Sequence, residues 1–196
     1  MLTALLGNLD KGLLFILSAP AGTGKTTLVQ LLTRDFPCVV ASISYTTRKP
    51  RPGEVNGIHY YFISREEFIR RINAGEFLEY VELYGDYYGT SNVWVEDQLT
   101  KKNHVILVID TQGAQLLKNK VDAVSIFVAP PSVEELERRL KLRKTESSEV
   151  IEKRLSWAKK ELEAQNNYDY LIINDDLSHA YQALRSILIA EEHRIR

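Results

Sequence analysis

Short apolar segments alternate with helical patterns along the chain, and this alternation restricts the folds open to it. The apolar segments lie at residues 13–18, 39–43, 105–110, 124–129 and 170–174. Continuous apolar runs of this length are typical of strands buried on both faces of a parallel sheet. Apolar residues three and four positions apart mark helices at residues 25–32, 93–102, 134–142, 150–164 and 180–193. The sequence therefore predicts an α/β fold, with a central parallel sheet flanked by helices.

Two regions interrupt the alternation. Residues 44–92 are rich in Tyr, Gly, Pro and Arg and predict an inserted α+β unit, with a strand at 59–63, a helix at 65–73 and further strands within 77–88. Residues 132–157 are strongly charged and predict two helices that form a flap or lid. Ser64 with Glu67, and Ser132 with Glu135, have the spacing of a capping box, so a helix is expected to begin after each serine. The predicted division is core at 1–43, insert at 44–92, core at 93–131, lid at 132–157 and core at 158–196.

The overall charge and the cysteine content narrow the class of protein. Lys and Arg number 25 against 26 for Asp and Glu, so no net field attracts a polyanion and nucleic acid is disfavoured as a partner. Cys38 has no second cysteine to pair with, which fits a reducing compartment. Asp10 and Lys11 interrupt the apolar start, so neither a signal peptide nor a membrane span is expected. We expect a cytoplasmic protein with no membrane association and no obligate protein partner.

A glycine-bearing loop directly follows the first apolar segment and precedes a helical pattern, which is the context of a phosphate-binding P-loop. Gly22 and Gly24 let backbone N–H groups point at phosphate oxygens, with the positive end of the helix behind them. Lys25 is expected to reach the β- and γ-phosphates, and Thr26 to offer a hydroxyl to Mg²⁺, directly or through water. The candidate ATP-binding residues here are Ala19, Pro20, Ala21, Gly22, Thr23, Gly24, Lys25, Thr26 and Thr27.

The P-loop pattern leaves the reaction open. Ala19 stands where the usual motif has glycine, and a strand-to-helix turn that binds nothing is the simplest alternative. The Gly-Lys-Thr triplet in this context favours a nucleoside triphosphate site, but a kinase, a GTPase, an ATPase and an inactive binding module all remain possible. Asp110 ends a wholly apolar strand and is a candidate for orienting Mg²⁺ or a nucleotide; its alternative role is a helix cap.

The insert begins with a loop that combines two arginines with two prolines. Pro50 and Pro52 exclude a regular helix, so Arg48 and Arg51 are held on a stiff segment. Paired guanidinium groups bind a phosphate through charge-assisted hydrogen bonds, and Tyr60 and Tyr88 are expected to add hydroxyl donors. The alternative is a solvated basic turn.

Segments throughout the chain resemble the guanylate kinase (GMP kinase) family of bacterial type. The similar segments are SYTTRKPRPGEVNGIHYYF at 44–62, FLE at 77–79, YYGTS at 87–91, IDTQGA at 109–114, FVAPPS at 127–132, RRL at 138–140 and INDD at 173–176. They occur in the family's order and at close to its spacing. The resemblance implies a P-loop NTPase fold with an inserted α+β GMP-binding unit and a helical lid.

The resemblance also implies residue roles. It assigns the GMP phosphate to Arg48, Arg51, Tyr60 and Tyr88, the base to Ser44, Glu79 and Thr90, and a further GMP-site role to Asp110. It places Arg139, Arg143 and Arg154 in or next to the lid, where they close on ATP, and Asn174 at the adenine of ATP. Arg138 is a weaker lid candidate. For lid arginines in so charged a helix, the alternative is a solvated face.

The predicted activity is therefore transfer of the γ-phosphoryl group of ATP to GMP, with Mg²⁺ as cofactor and dGMP as a further expected acceptor. Glu79 has a chemical reason to select guanine, because one carboxylate accepts from N1–H and the N2 amino group together, whereas adenine has an acceptor at N1. Two alternatives remain: a scaffold domain of the same fold that binds peptides, and a P-loop kinase for another acceptor. Lys25, Thr26 and the lid arginines argue against the first, and Ser44 and Glu79 argue against the second.

Overall fold

The computed structural model describes residues 5–142 and 148–195. Its strands are β1 Leu14–Ser18, β2 Val39–Ala41, β3 Tyr45–Thr46, β4 Tyr61–Phe62, β5 Phe77–Leu83, β6 Asp86–Ser91, β7 His104–Ile109, β8 Val124–Ala129 and β9 Tyr170–Ile173. Its helices are α1 Lys25–Asp35, α2 Arg65–Asn73, α3 Asn92–Thr100, α4 Thr111–Leu117, α5 Val133–Leu142, α6 Ser148–Glu163 and α7 Leu177–Glu192. A short 3-10 helix, Ala164–Asn167, follows α6. Among the described residues, no helix has both the length and the apolar character needed to cross a bilayer.

The five predicted core strands form one sheet. Its order is β2-β7-β1-β8-β9, and every neighbouring pair is parallel. The central strand β1 is buried along its whole length, because helices cover both faces of the sheet. The predicted parallel sheet flanked by helices is therefore confirmed.

Successive side chains of β1 point to opposite faces of the sheet and pack in two different apolar layers, as the pleat of a strand requires. Phe15 and Leu17 pack with residues of α1 and α7 on one face. Leu14 and Ile16 pack with residues of α3, α4 and β7 on the other. This arrangement fixes the carboxyl end of β1, where the glycine-bearing loop begins, between the two layers.

A second sheet is built from residues 45–91, all of which lie within the predicted insert. Its order is β4-β3-β6-β5, with β3 and β4 parallel and the other pairs antiparallel. Phe68 of α2 is fully buried and stacks on Phe77 at 4.4 Å and on Tyr87 at 5.2 Å between ring centroids. The insert therefore has an aromatic core of its own.

The serine caps behave as predicted. The Ser64 hydroxyl accepts a hydrogen bond from the backbone N–H of Glu67 at 3.2 Å, and α2 begins at the next residue. Ser132 accepts from the N–H of Glu135 at 3.1 Å, just before α5.

In contrast, α4 was not predicted, because seven residues containing a glycine carry too little periodicity. Asp110 starts this helix: its Oδ1 accepts from the N–H groups of Gln112 at 2.7 Å and Gly113 at 3.1 Å.

Candidate active site

The glycine-bearing loop turns at two residues with left-handed backbone conformation. Gly22 has φ 95° and Gly24 has φ 94°, values that favour glycine because a Cβ would be strained there. Gly24 is also the N-cap residue of α1, and no side chain caps this helix. The first N–H groups of α1 are therefore left for a ligand, and the positive end of the helix favours an anion.

Lys25 folds its side chain back over this loop. The amine donates to the carbonyl of Ala19, and it also donates to the carbonyl of Pro20 at 3.4 Å. The buried Thr23 hydroxyl donates to the same Pro20 carbonyl at 2.9 Å, which closes the loop from within. Thr26 and Thr27, in the first turn of α1, are exposed, as is Ala21. The loop thus has a buried inner side and an open outer side.

Asn174, at the end of β9, supports the loop from below. Its Nδ2 donates to the Thr23 carbonyl at 2.6 Å, and the residue is only 5% exposed. A Cβ on Gly24 would lie 2.6 Å from the same Nδ2, so the close approach also requires glycine at this position. The structure therefore gives Asn174 a contact with the loop that the sequence did not predict, and its contact with adenine stays a prediction.

Helix α5, which falls within the predicted lid, lies directly against the loop. A Cβ on Gly22 would lie 3.0 Å from Leu140 Cδ2 and 3.3 Å from Leu136 Cδ1. These two leucines pack with Ala158 of α6, so α5 and α6 hold together through a small apolar cluster next to the loop. This helix pair therefore covers part of the loop.

The lid arginines are only partly within the described structure. Arg139 is largely buried and donates from Nε to Glu135 Oε1 at 2.7 Å on its own helix. Arg138 is exposed and forms two hydrogen bonds to the same carboxylate, at 2.7 and 2.8 Å. Arg143 lies outside the described residues. Arg154 falls within α6, but its side chain also lies outside the described part of the chain.

Two carboxylates lie near the phosphate loop. Asp110 is half-buried at the carboxyl end of β7, and the Ser18 hydroxyl of the neighbouring β1 donates to its carbonyl at 3.4 Å. The structure confirms the helix-cap alternative for Asp110, whereas its role toward Mg²⁺ or a nucleotide stays a prediction. Glu161 of α6 is the second: burial raises its pKa to about 7, with the Lys25 charge lowering it and the Asp110 charge raising it. Glu161 was not predicted from the sequence, although a carboxylate three residues after Ala158 on an apolar helix face is a detectable signal.

The insert brings the predicted phosphate-binding residues around Arg48. Its guanidinium lies 5.3 Å from the Tyr60 ring centroid, and it interacts with Tyr88, whose ring is 6.1 Å from that of Tyr60. Burial raises the pKa of Tyr60, which keeps the phenol protonated as a donor. Arg51 is exposed on the same loop.

Glu54, which was not predicted from the sequence, stabilises this loop through its carboxylate. Glu54 accepts from both terminal nitrogens of Arg48, at 3.0 and 2.9 Å, and from the backbone N–H of Arg51 at 2.7 Å. Both side chains of the Arg48–Glu54 pair are largely buried, at 15% and 17% exposure. No periodic signal identifies such a pair, because its partners meet only through the turn at Pro52 and Gly53.

Glu79 and Thr90 meet on adjacent strands of the insert. The Thr90 hydroxyl donates to Glu79 Oε1 at 2.7 Å, and both residues are buried. Burial raises the pKa of Glu79 to about 7; the Thr90 hydrogen bond lowers it and the Asp110 charge raises it. Ser44 is half-buried at the start of the insert, and its carbonyl accepts from the Tyr61 N–H at 2.9 Å. Because the Asp110 charge acts on both Glu79 and Glu161, Asp110 lies near a carboxyl group of the insert and one of α6.

The insert also meets α6 directly. Tyr84, in the β5–β6 turn, contacts Trp157 edge to face, with ring centroids 5.7 Å apart. The charges of Lys25 and Asp110 both act on Glu161 of α6, and the charge of Asp110 also acts on Glu79 of the insert, so these groups lie near one another. The arrangement suits the transfer of a phosphoryl group between two bound nucleotides, since such a reaction needs positioning and charge neutralisation more than covalent help from the protein.

Comparison with known proteins agrees with this geometry. The model of the guanylate kinase family matches residues 11–191. The guanylate kinase of Protochlamydia amoebophila (strain UWE25) is 65% identical over 192 residues, covering 97% of this chain and 98% of its own. That of Chlamydia felis (strain Fe/C-56) is 50% identical over 182 residues, covering 92% and 89%.

A crystal structure extends the comparison to three dimensions. The guanylate kinase from Anaplasma phagocytophilum superposes with a TM-score of 0.78 at 36% identity, covering 94% of this chain and 88% of its own. Its fold is the P-loop NTPase fold, which the parallel sheet and glycine-bearing loop described above share. With the family model spanning nearly the whole chain and relatives this similar, the chain belongs to the guanylate kinase family.

Proposed function

We propose that this chain transfers the γ-phosphoryl group of ATP to a phosphate oxygen of GMP, giving ADP and GDP. The observation that carries the proposal is the buried Glu79, hydrogen-bonded to Thr90 in an insert that faces a phosphate loop. A buried carboxyl beside a nucleotide site needs a partner with donors, and guanine supplies two adjacent ones. Family membership supports the same reaction.

ATP is held by the loop and the first turn of α1. The residues proposed for it are Ala19, Pro20, Ala21, Gly22, Thr23, Gly24, Lys25, Thr26, Thr27 and Asn174. The Lys25 amine donates to the loop carbonyls of Ala19 and Pro20. We infer that the β- and γ-phosphates draw the amine away from these neutral acceptors, because the positively charged ammonium group is attracted more strongly to anionic oxygens than to neutral carbonyls.

The GMP phosphate is proposed to bind Arg48, Arg51, Tyr60 and Tyr88. Glu54 orients Arg48 before the substrate arrives, and the guanidinium has five N–H donors, so the pair leaves donors for a phosphate. Preordering of this kind lowers the entropy cost of binding. Ser44, Glu79 and Thr90 are proposed to contact the base, with Asp110 at the same site. Glu79 then selects guanine, and a site that leaves a buried polar group unpaired rejects the wrong base by ~10⁴-fold.

The residues present fit Mg²⁺ that arrives bound to ATP. Thr26 offers an exposed hydroxyl next to the loop, and Asp110 offers a half-buried carboxylate at the same edge of the sheet. Within the described ranges, no group of three or more His, Cys, Asp or Glu residues forms a cage for a metal. Mg²⁺ needs none, since it keeps several waters and binds mainly through substrate phosphates. When bound, it would neutralise charge on the transferring group.

Transfer to GMP rather than to water requires that the site close. We propose that Arg139, Arg143 and Arg154 neutralise the ATP phosphates as α5 and α6 cover the loop, within a lid spanning the predicted 132–157. Arginines used in this way in related phosphoryl transfer contribute ~10³-fold or more in rate. The contact of Leu136 and Leu140 with Gly22 supports this, because it couples the lid helix to the loop. The unpaired Cys38 supports a cytoplasmic setting.

The test is ADP release from ATP and Mg²⁺ by the purified protein, with GMP, dGMP, AMP, CMP, UMP or no acceptor. Release with GMP, and none with AMP, is the expected result. Folded protein that binds GMP but releases no ADP with any acceptor would instead point to a binding module of the same fold. Release with AMP, CMP or UMP would refute the role of Glu79, whereas release with dGMP is expected because it carries the same base.

A further inference from the structure

Gly113 is the third residue of α4, and its backbone conformation does not explain why it is glycine. It is absent from the glycines of the described residues that have positive φ. Any residue fits its helical conformation, and alanine would favour the helix more than glycine does. The reason for a glycine here must therefore lie in the surrounding space.

The space beside Gly113 is taken by the carboxyl group of Glu79. A Cβ built on Gly113 would lie 2.9 Å from Glu79 Oε2 and 3.4 Å from Glu79 Cδ. Oε1 of the same carboxyl accepts the Thr90 hydroxyl at 2.7 Å. One oxygen is thus held by a hydrogen bond, and the other lies in the space that a side chain at residue 113 would need.

We propose that Gly113 is a positioning residue that determines base specificity: its missing side chain sets the place at which Glu79 accepts the two donors of guanine. The proposal rests on the function proposed above. A methyl group at residue 113 would force Oε2 back by about 0.5 Å to reach an ordinary contact of 3.4 Å. Paired acceptance needs both oxygens in place, so a shift of one oxygen weakens the recognition of guanine while Thr90 still holds the other.

Gly113→Ala should weaken the binding of GMP without destabilising the protein. The Michaelis constant for GMP should rise roughly tenfold, as expected for one lost or distorted hydrogen bond to a charged group. The Michaelis constant for ATP and the turnover at saturating GMP should change by less than about twofold. The reason is that the lost interaction stabilises bound GMP equally in the ground state and in the transition state. The melting temperature should stay level or rise, since alanine favours the helix and only the end of the Glu79 side chain gives way. Gln115→Ala, at an exposed position on the same helix, is the matched control and should leave all four quantities unchanged.

A double-mutant cycle shows whether Gly113 acts through Glu79. In a Glu79→Gln background, residue 79 can no longer accept both donors of guanine. Gly113→Ala should therefore produce no further rise in the Michaelis constant for GMP. Independent, additive effects would overturn the proposal, as would a Gly113→Ala protein that has lost its cooperative melting transition.

Calorimetric titration with GMP in the absence of ATP separates the inference from the function on which it rests. Wild-type protein should bind GMP, and the Gly113→Ala variant should bind it roughly tenfold more weakly. Equal affinity in the two proteins would overturn the role of Gly113 and leave the proposed kinase activity standing. A wild-type protein that binds no GMP would overturn the proposed function itself.

Discussion

GMP recognition by this protein should depend on pH through Glu79. Burial raises the pKa of this carboxyl to about 7, although the Thr90 hydrogen bond acts in the opposite direction. Only the ionised carboxylate can accept from both N1–H and the N2 amino group, because a protonated oxygen becomes a donor facing a donor. With a pKa of about 7, the ionised fraction falls from about 90% at pH 8 to about 10% at pH 6. The affinity for GMP should therefore fall roughly tenfold over this range.

The direction of the effect follows from the raised pKa. Without GMP, burial raises the pKa of Glu79 in the folded protein above that in the unfolded chain. The stability linked to this group is therefore fully present below its ordinary pKa and is lost as pH rises toward 7. Bound GMP reverses the preference by supplying donors to the carboxylate. Binding near or below pH 7 should therefore release a proton, and affinity should be lost as pH falls through 7.

The assay is the dissociation constant of GMP at pH 6, 7 and 8, measured for the wild-type protein and for Glu79→Gln. The variant is needed because the phosphate of GMP titrates near pH 6 and contributes a pH dependence of its own. At pH 8 the variant should bind GMP ~10- to 100-fold more weakly, the equivalent of a lost charge-assisted hydrogen bond. Between pH 8 and pH 6 the affinity of the variant for GMP should fall less than that of the wild-type protein. The difference should be roughly the tenfold attributed to Glu79. Parallel pH profiles for the two proteins would refute the reasoning.

Three further perturbations test the loop and the ends of the chain. Lys25→Ala should lower turnover by ~10²-fold or more while the protein keeps a cooperative melting transition, since Thr23 and Asn174 also hold the loop; undiminished turnover would contradict the assignment. Asn174→Ala removes the donor to the Thr23 carbonyl, so it should cost about 1–3 kcal/mol of stability and raise the Michaelis constant for ATP more than that for GMP; equal rises would be the contrary result. Glu192 accepts from the N–H groups of Gly7 and Asn8 and from His104, and although burial alone would raise its pKa, these hydrogen bonds lower it. Glu192→Gln should therefore cost about 1.5–3 kcal/mol in denaturant unfolding at pH 7, and the loss should shrink as pH falls below the ordinary glutamate pKa of 4.5, where the unfolded chain takes up a proton while the folded carboxylate is still ionised; a loss independent of pH would contradict this account.

Features that depend on neighbouring residues in the chain could be predicted well. The five core strands were detectable because strands buried on both faces must be apolar throughout. The bounds predicted for α2 match, because Ser64 caps it and a helical pattern follows. The glycine-bearing loop was recognisable because its two left-handed residues and its lysine have a fixed spacing along the chain.

Features that depend on contacts between distant segments were decided by the tertiary structure. Asn174 meets the loop 151 residues earlier in the chain, and this contact exists only because β9 and β1 flank β8 in one sheet. The roles of Glu161 and Gly113 depend on what lies near them in the fold: the charge of the P-loop lysine for the first, and the carboxyl of Glu79 for the second. Residue type and spacing therefore indicated which chemistry the chain carries, because local pattern controls secondary structure and loop geometry. Burial and three-dimensional proximity, which no spacing encodes, decided how each charged group is held and what ionisation it favours.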